Sequence, residues 1–290
     1  MSRLGASIAA LTLSLLAMSG QAQASIEDKD VAKLTSFGGM CANCDLAGRK
    51  LMNAKFTGAN FAKAILIGAD LRGAMFYGSN FQSSDLSRAD LRGAEMRGAN
   101  FTGANFTDAR MSGIESSGAN FTGATLLRVD LSSAELHAAQ LNGANLQKAR
   151  FTNAELIAAN LSGANARDAD FSNADINHAN FQGARFDGAR FRNADMTGSN
   201  LRGALFNGAD FRNADLSMVN LGGADLSNAR GLEQDQLDEA CGDSATRLPS
   251  GLTVRPCNGI KGGRFMLLRE VPKAPPAPPA PPAPPSPKKW

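Results

Sequence analysis

Every fifth residue from Leu46 to Leu226 is tested by one rule, a large apolar side chain, over 37 positions without an insertion or deletion. Seventeen of these are Leu, fourteen Phe, three Met (Met96, Met111, Met196) and one is Ile176. Ser116 and Ala166 are the exceptions. Two residues before each centre stands Ala in 29 of the 37 cases. The unit reads small, then Asp or Asn, then Leu or Phe, then two variable residues of which the last is often Gly. Ala69-Asp70-Leu71-Arg72-Gly73 and Ala99-Asn100-Phe101-Thr102-Gly103 are examples. A period of five fits neither an amphipathic helix near 3.6 nor a flat strand at 2. It fits a solenoid with corners at regular intervals, one small and one large side chain pointing inward from each unit. The remaining three positions are polar or Gly, as outward and turn positions should be.

These units resemble the pentapeptide-repeat family over about residues 44–230. The resemblance implies an all-β solenoid: a right-handed, quadrilateral parallel β-helix with four units, hence 20 residues, per coil. On that basis the rod has about nine coils and a length of about 45 Å at the spacing of neighbouring strands. Residues 20 apart then stack. Phe61, Phe81, Phe101 and Phe121 form one column, and Phe151, Phe171, Phe191 and Phe211 another on a second face. Where the centre shrinks to Ser116, the small position enlarges to Ile114, which roughly keeps the inward volume. Ala166 has no such compensation, and a local void is expected there.

The position before each centre faces out, and its columns differ. One carries Asn60, Asn80, Asn100, Asn120, Gln140, Asn160, Asn180, Asn200 and Asn220, an amide ladder. A second alternates in charge: Asp90, Arg110, Asp130, Arg150, Asp170, Arg190, Asp210. A third is acidic throughout: Glu95, Glu115, Glu135, Glu155, Asp175, Asp195, Asp215, with few basic neighbours apart from Arg97. Stacked like charges repel, so this column is a candidate binding stripe for a basic partner or for cations. The competing reading is duplication of a coil that began with an acid.

Composition narrows the function. Fourteen of the sixteen Phe lie on the grid, beside one Trp and one Tyr in 290 residues. Two His disfavour a His-based catalytic or metal centre. His137 and His178 fall on outward positions of separate coils. No nucleophile-elbow or phosphate-loop pattern is present, the Gly being periodic. The reading is a non-catalytic scaffold without cofactor or metal. A net charge of +3 does not imply nucleic acid. Some members of the family are acidic rods that mimic DNA and protect type II topoisomerases. Here residues 44–230 carry 19 basic and 18 acidic side chains, which argues against that alternative.

The flanks predict an exported chain. Met1-Ser2-Arg3, the apolar run Leu4–Met18 and Ala22-Gln23-Ala24 read as a signal peptide over 1–24, cleaved between Ala24 and Ser25. A periplasmic or secreted location follows. Residues 25–43 are assigned to an N-terminal cap and 231–271 to a C-terminal cap, each with a short helix, the second over 232–240. Four Cys in an exported chain favour disulfides. Given the rod that the resemblance implies, Cys41 and Cys44 lie too far from Cys241 and Cys257 to cross-link. This leaves Cys41–Cys44 and Cys241–Cys257 as the pairs. Family members also carry a Cys-x-x-Cys leading into the first repeat. A thiol redox role for Cys41-Ala42-Asn43-Cys44 is the alternative to a structural one. Residues 272–290 hold ten of the twelve Pro and end in Lys288-Lys289-Trp290, an extended or disordered tail. It is either a solubilising tail or a basic tether for an anionic membrane or cell wall.

Overall fold

The computed structural model describes residues 39–257. Within them the backbone of each unit solves one accounting problem, because every buried N–H needs an acceptor. In the unit Ala99–Gly103, Ala99 N closes a tight turn on Met96 O at 3.0 Å. Asn100 N reaches back one coil to Ser79 O at 2.9 Å. Phe101 N and Gly103 N reach forward one coil, to Asn120 O at 2.7 Å and Thr122 O at 3.0 Å. Only Thr102 N is left without a backbone acceptor, and the Asn100 side chain takes it, Oδ1 accepting at 3.1 Å. The fifth residue sits at positive φ, 65° for Gly103, the left-handed third position of a type II turn. Gly suits it, but Asn153, Asn173, Asn193 and Asn213 also adopt it, at φ 58°, 58°, 53° and 56°.

Repetition turns these corners into a four-cornered parallel solenoid. Parallel bridges join residues 20 apart from Met40↔Asn60 to Asp210↔Arg230, one for each five-residue unit. The interior is the apolar grid. Phe61, Phe81, Phe101 and Phe121 stack with ring centroids 4.7, 5.1 and 5.0 Å apart. Phe151, Phe171, Phe191 and Phe211 do the same at 4.7, 5.2 and 5.1 Å. Edge-to-face contacts tie adjacent columns, as between Phe76 and Phe81 at 5.0 Å and 87°, the geometry that aromatic quadrupoles favour. Ser79, Ser84 and Ser199 replace Ala at the small position, and each hydroxyl donates to a carbonyl, of Phe56, Phe81 and Ile176 respectively.

Ser116 and Ile114 are both fully buried, and the larger side chain changes its corner. The turn hydrogen bond lengthens to 3.4 Å at Val129, and among the described residues none forms at Ile114. Ala166 is also fully buried. The residue before it, Asn165, holds the one buried side-chain oxygen without a partner among the described residues.

The far end is less helical than the pattern suggests. In place of a helix over 232–240 there is a single turn, α1, Gln234–Leu237. Leu232 and Leu237 stand five apart, which does not place them on one helical face. Beyond α1, solenoid pairing resumes with a longer step, Asn220↔Cys241 and Asp225↔Arg247. Strands β1 (Cys241–Gly242) and β2 (Arg255–Pro256) pair in parallel on top. The Gln236 amide donates to Phe211 O at 2.9 Å, which also accepts the turn bond from Ala214 N, and to Ala214 O at 2.7 Å, a carbonyl that takes no backbone donor among the described residues. Leu237 and Ala240 are fully buried. Sulfurs of Cys41 and Cys44 lie 2.25 Å apart, and those of Cys241 and Cys257 2.14 Å, bonded in both cases. The expected signal peptide with its Ala24–Ser25 junction, the helix expected in the N-terminal cap and the Pro-rich residues 272–290 lie outside the described residues.

Candidate functional site

Function on such a rod has to be written on its outward positions, and the residue before each centre has two possible occupations. Asn or Asp there has the reach to turn back and accept the N–H two residues on. Asn60 does so for Ala62 at 3.1 Å and Asp85 for Ser87 at 2.9 Å. A side chain one methylene longer overshoots that geometry.

The acidic column divides on this difference. Glu95, Glu115, Glu135, Glu155, Asp175, Asp195 and Asp215 do stack, each bridged to the next one coil away. Asp175, Asp195 and Asp215 accept from Asn177 N, Thr197 N and Ser217 N at 3.2, 2.9 and 2.8 Å. They are corner residues first and charges second. Contacts from Ser217 hold the Asp215 carboxyl below its ordinary value. None of the four Glu makes that backbone bond among the described residues. Glu115 pairs with Arg97 Nη2, and Glu155 lies 3.1 Å from His137 Nε2. Glu95 and Glu135 have no ion-pair partner among the described residues. The column is therefore a stripe of four outward Glu continued by three occupied Asp, a distinction that residue charge alone does not carry.

The other columns are structural. The amide ladder runs in two stretches. Asn80 Nδ2 donates to Asn60 and Asn100 to Asn80, both at 3.2 Å. Asn160, Asn180 and Asn200 continue from Gln140 at 3.2, 3.3 and 3.1 Å. A second, shorter ladder at the left-handed corner, Asn173–Asn193–Asn213, has bonds of 2.9 and 3.1 Å. The sequence signal for it was the Asn repeat at the Gly position.

Alternating charge up a column would favour pairing along its length, but among the described residues Arg190–Asp170 at 3.3 Å is the one such pair. Its Asp residues take nearer partners: Asp90 holds Arg92 through two bonds of 2.8 and 2.7 Å, while Asp130 takes Ser132. Asp210 is 2 % exposed and bonds both Arg212, at 3.0 and 2.8 Å, and Arg192, at 2.6 Å. Arg212 first, then Arg192, hold its carboxyl far below the ordinary range, against the opposing effect of burial. Among the described residues no His, Cys, Asp or Glu cluster could hold a metal ion, and no helix is long and apolar enough to cross a membrane.

The pentapeptide-repeat family model matches residues 41–76, 54–93, 74–113, 117–153, 154–193 and 189–228. No curated protein matches. Among solved structures, the chain is similar to HetL, a pentapeptide repeat protein involved in heterocyst differentiation regulation from the cyanobacterium Nostoc sp. strain PCC 7120. Identity is 28% over 68% of this chain and 91% of that one, with a TM-score of 0.36. It is also similar to QnrB1, a plasmid-mediated fluoroquinolone resistance protein, at 21% identity over 65% of this chain and 90% of that one, TM-score 0.41. A pentapeptide repeat protein of the Arabidopsis thaliana thylakoid lumen shares 26% identity over 51% of this chain and 68% of that one, TM-score 0.14. With unbroken five-residue corners and the family model covering most of residues 41–228, this chain belongs to the pentapeptide-repeat family.

Proposed function

We propose that this protein is an exported, non-catalytic scaffold that presents a stripe of four glutamates to a basic protein partner. The observation that carries the reading is the split of the acidic column. Glu95, Glu115, Glu135 and Glu155 sit on successive coils, about 4.8 Å apart, and give no bond to the corner N–H. Their mutual repulsion lowers stability and is offset only by the exposed contacts of Glu115 with Arg97 and of Glu155 with His137, whereas the Asp below them serve the backbone. Charge arranged this way favours encounter with a basic surface and fixes register on it.

The rigid coil supplies preorganisation, so a partner loses little by ordering it. The N-terminal export pattern supports a periplasmic or secreted location for this rod. The basic Pro-rich end serves as a second contact, with an anionic membrane or cell wall. Topoisomerase protection is the second reading: QnrB1 is named for fluoroquinolone resistance, and the nearly balanced charge of residues 44–230 weighs against an acidic DNA mimic here.

Pull-down from envelope and cytosolic extracts tests the proposal, comparing the mature chain, a variant with all four Glu changed to Gln, and one with Asp175, Asp195 and Asp215 changed to Asn. A partner captured from the envelope fraction, released by salt and lost only in the Glu variant supports it. Capture unaffected by the Glu changes refutes the stripe, and loss on deleting 272–290 would move the contact to the tail.

A further inference from the structure

We propose that the Cys41–Cys44 disulfide is a thiol-exchange site, opened at Cys44 by small thiols of the glutathione class, and not a staple the fold depends on. The argument begins with the corner it occupies. Cys41 fills the centre slot that Phe61 fills one coil on, and Cys44 the small slot held there by Ala64. At the Phe61 corner, Phe61 N, Lys63 N and Ala64 N make bonds of 2.7, 2.9 and 3.0 Å. At the cysteine corner the same three bonds are present: Cys41 N to Asn60 O at 2.8 Å, Asn43 N to Ala62 O at 2.9 Å, Cys44 N to Cys41 O at 3.2 Å. Dozens of corners in this rod hold that geometry with no covalent bond. The sulfur–sulfur bond here is redundant to the turn.

The other disulfide differs. It spans 16 residues and holds β2 onto β1, which pairs with Asn220 at the end of the solenoid. Breaking it releases the cap.

Access gives the exchange a direction. Cys41 is 7% exposed and part of the core, while Cys44 is only partly buried. One coil on, Lys63 takes the left-handed corner position that Asn43 holds here, a cation in the same column as the Cys-x-x-Cys turn. Asp45 opposes it from the next position, though its Oδ1 already accepts Ala47 N at 3.1 Å. In the step, an incoming thiolate attacks Cys44 Sγ, the Cys41–Cys44 bond breaks, and the electron pair leaves on Cys41 as thiolate. The product is a mixed disulfide on Cys44. A second equivalent of the thiol attacks that bond, releases the oxidised thiol and leaves both cysteines reduced.

The test uses the oxidised mature chain in glutathione buffers of increasing reducing strength, quenched in acid, alkylated and mapped by peptide mass spectrometry. The Cys41–Cys44 bond opens before Cys241–Cys257, glutathione is found on Cys44, and the melting temperature at that point stays within a few degrees of the oxidised protein. Opening of both bonds together, opening of Cys241–Cys257 first, or glutathione on Cys41 overturns the proposal. Single variants give an independent reading. The free Cys44 of Cys41→Ser alkylates at least tenfold faster than the free Cys41 of Cys44→Ser, and equal or reversed rates contradict the assigned direction.

Discussion

At the scale of the residue, the side chain before each centre has to serve the backbone, and this explains why Asp and Asn recur there. It also separates residues that charge alone would group. Asn100 accepts from Thr102 N and Thr102 Oγ1 and links to Asn80. Asn100→Ala should therefore cost about 1–2 kcal/mol in thermal or denaturant unfolding. Glu115→Ala, which removes only an exposed ion pair and a like-charge neighbour, should stay within about 0.5 kcal/mol of the parent. Asp210→Asn should cost more than Glu115→Ala, about 1–3 kcal/mol, since the buried charge and one of the two oxygens that accept from Arg192 and Arg212 are lost.

The same bonds set the acid response. Arg72, Arg92, Arg128 and Arg212 hold Asp70, Asp90, Asp108 and Asp210 below their ordinary values, and hydroxyl and backbone donors do so for Asp215, Asp225 and Asp243. Folded values below unfolded ones mean stability that is fully present above about pH 4, the unfolded Asp range. It is lost as pH falls through the depressed folded values. Melting temperature against pH should be flat from neutrality to about pH 5 and fall steeply below pH 4.

At the scale of the element, the unit is a corner and the column is its consequence. The five-residue corner was legible because period and residue type agree over many coils, and the 20-residue step, with the Phe stacks and the Asn ladder it orders, followed from the resemblance to the pentapeptide-repeat family. Three features were not legible. Asp90 chooses Arg92, two residues away, over Arg110, one coil away, because a neighbour across the corner can bond through two oxygens at once. The Glu and Asp of the acidic column look alike by charge and differ by one methylene. The C-terminal helix contracts to Gln234–Leu237 because its apolar residues stand five apart and the chain after it goes back to solenoid pairing.

Packing predictions belong here. Phe101 stacks on Phe81 and Phe121 and meets Phe106 edge-on, so Phe101→Ala should cost about 3–5 kcal/mol. Ala166→Leu restores the centre the grid omits, and an unfolding experiment should show it more stable than the parent. A loss of stability would mean the neighbouring coils have already closed over the site.

At the scale of the whole molecule, each coil touches only its neighbours, so stability is a sum of coils and interfaces and the ends need lids. The far lid is the Gln236 side chain, α1, the short parallel pair and the Cys241–Cys257 bond. Replacing Cys241 and Cys257 by Ser should lower stability by about 3 kcal/mol in the chain-entropy account, and fraying should begin at that end in hydrogen exchange. The acidic stripe, the ladders and the cysteine corner all depend on one geometric claim, that position in the chain modulo 20 fixes the face and every 20 residues advance the rod by one strand spacing.

Pulsed electron-spin distances test it directly. Labels at positions 102 and 182, four coils apart, should lie about 19 Å apart, and labels at 82 and 202, six coils apart, about 29 Å, both narrowly distributed. Broad distributions, or a difference between the two pairs far from about 10 Å, would contradict the stacked coil and every column read from it.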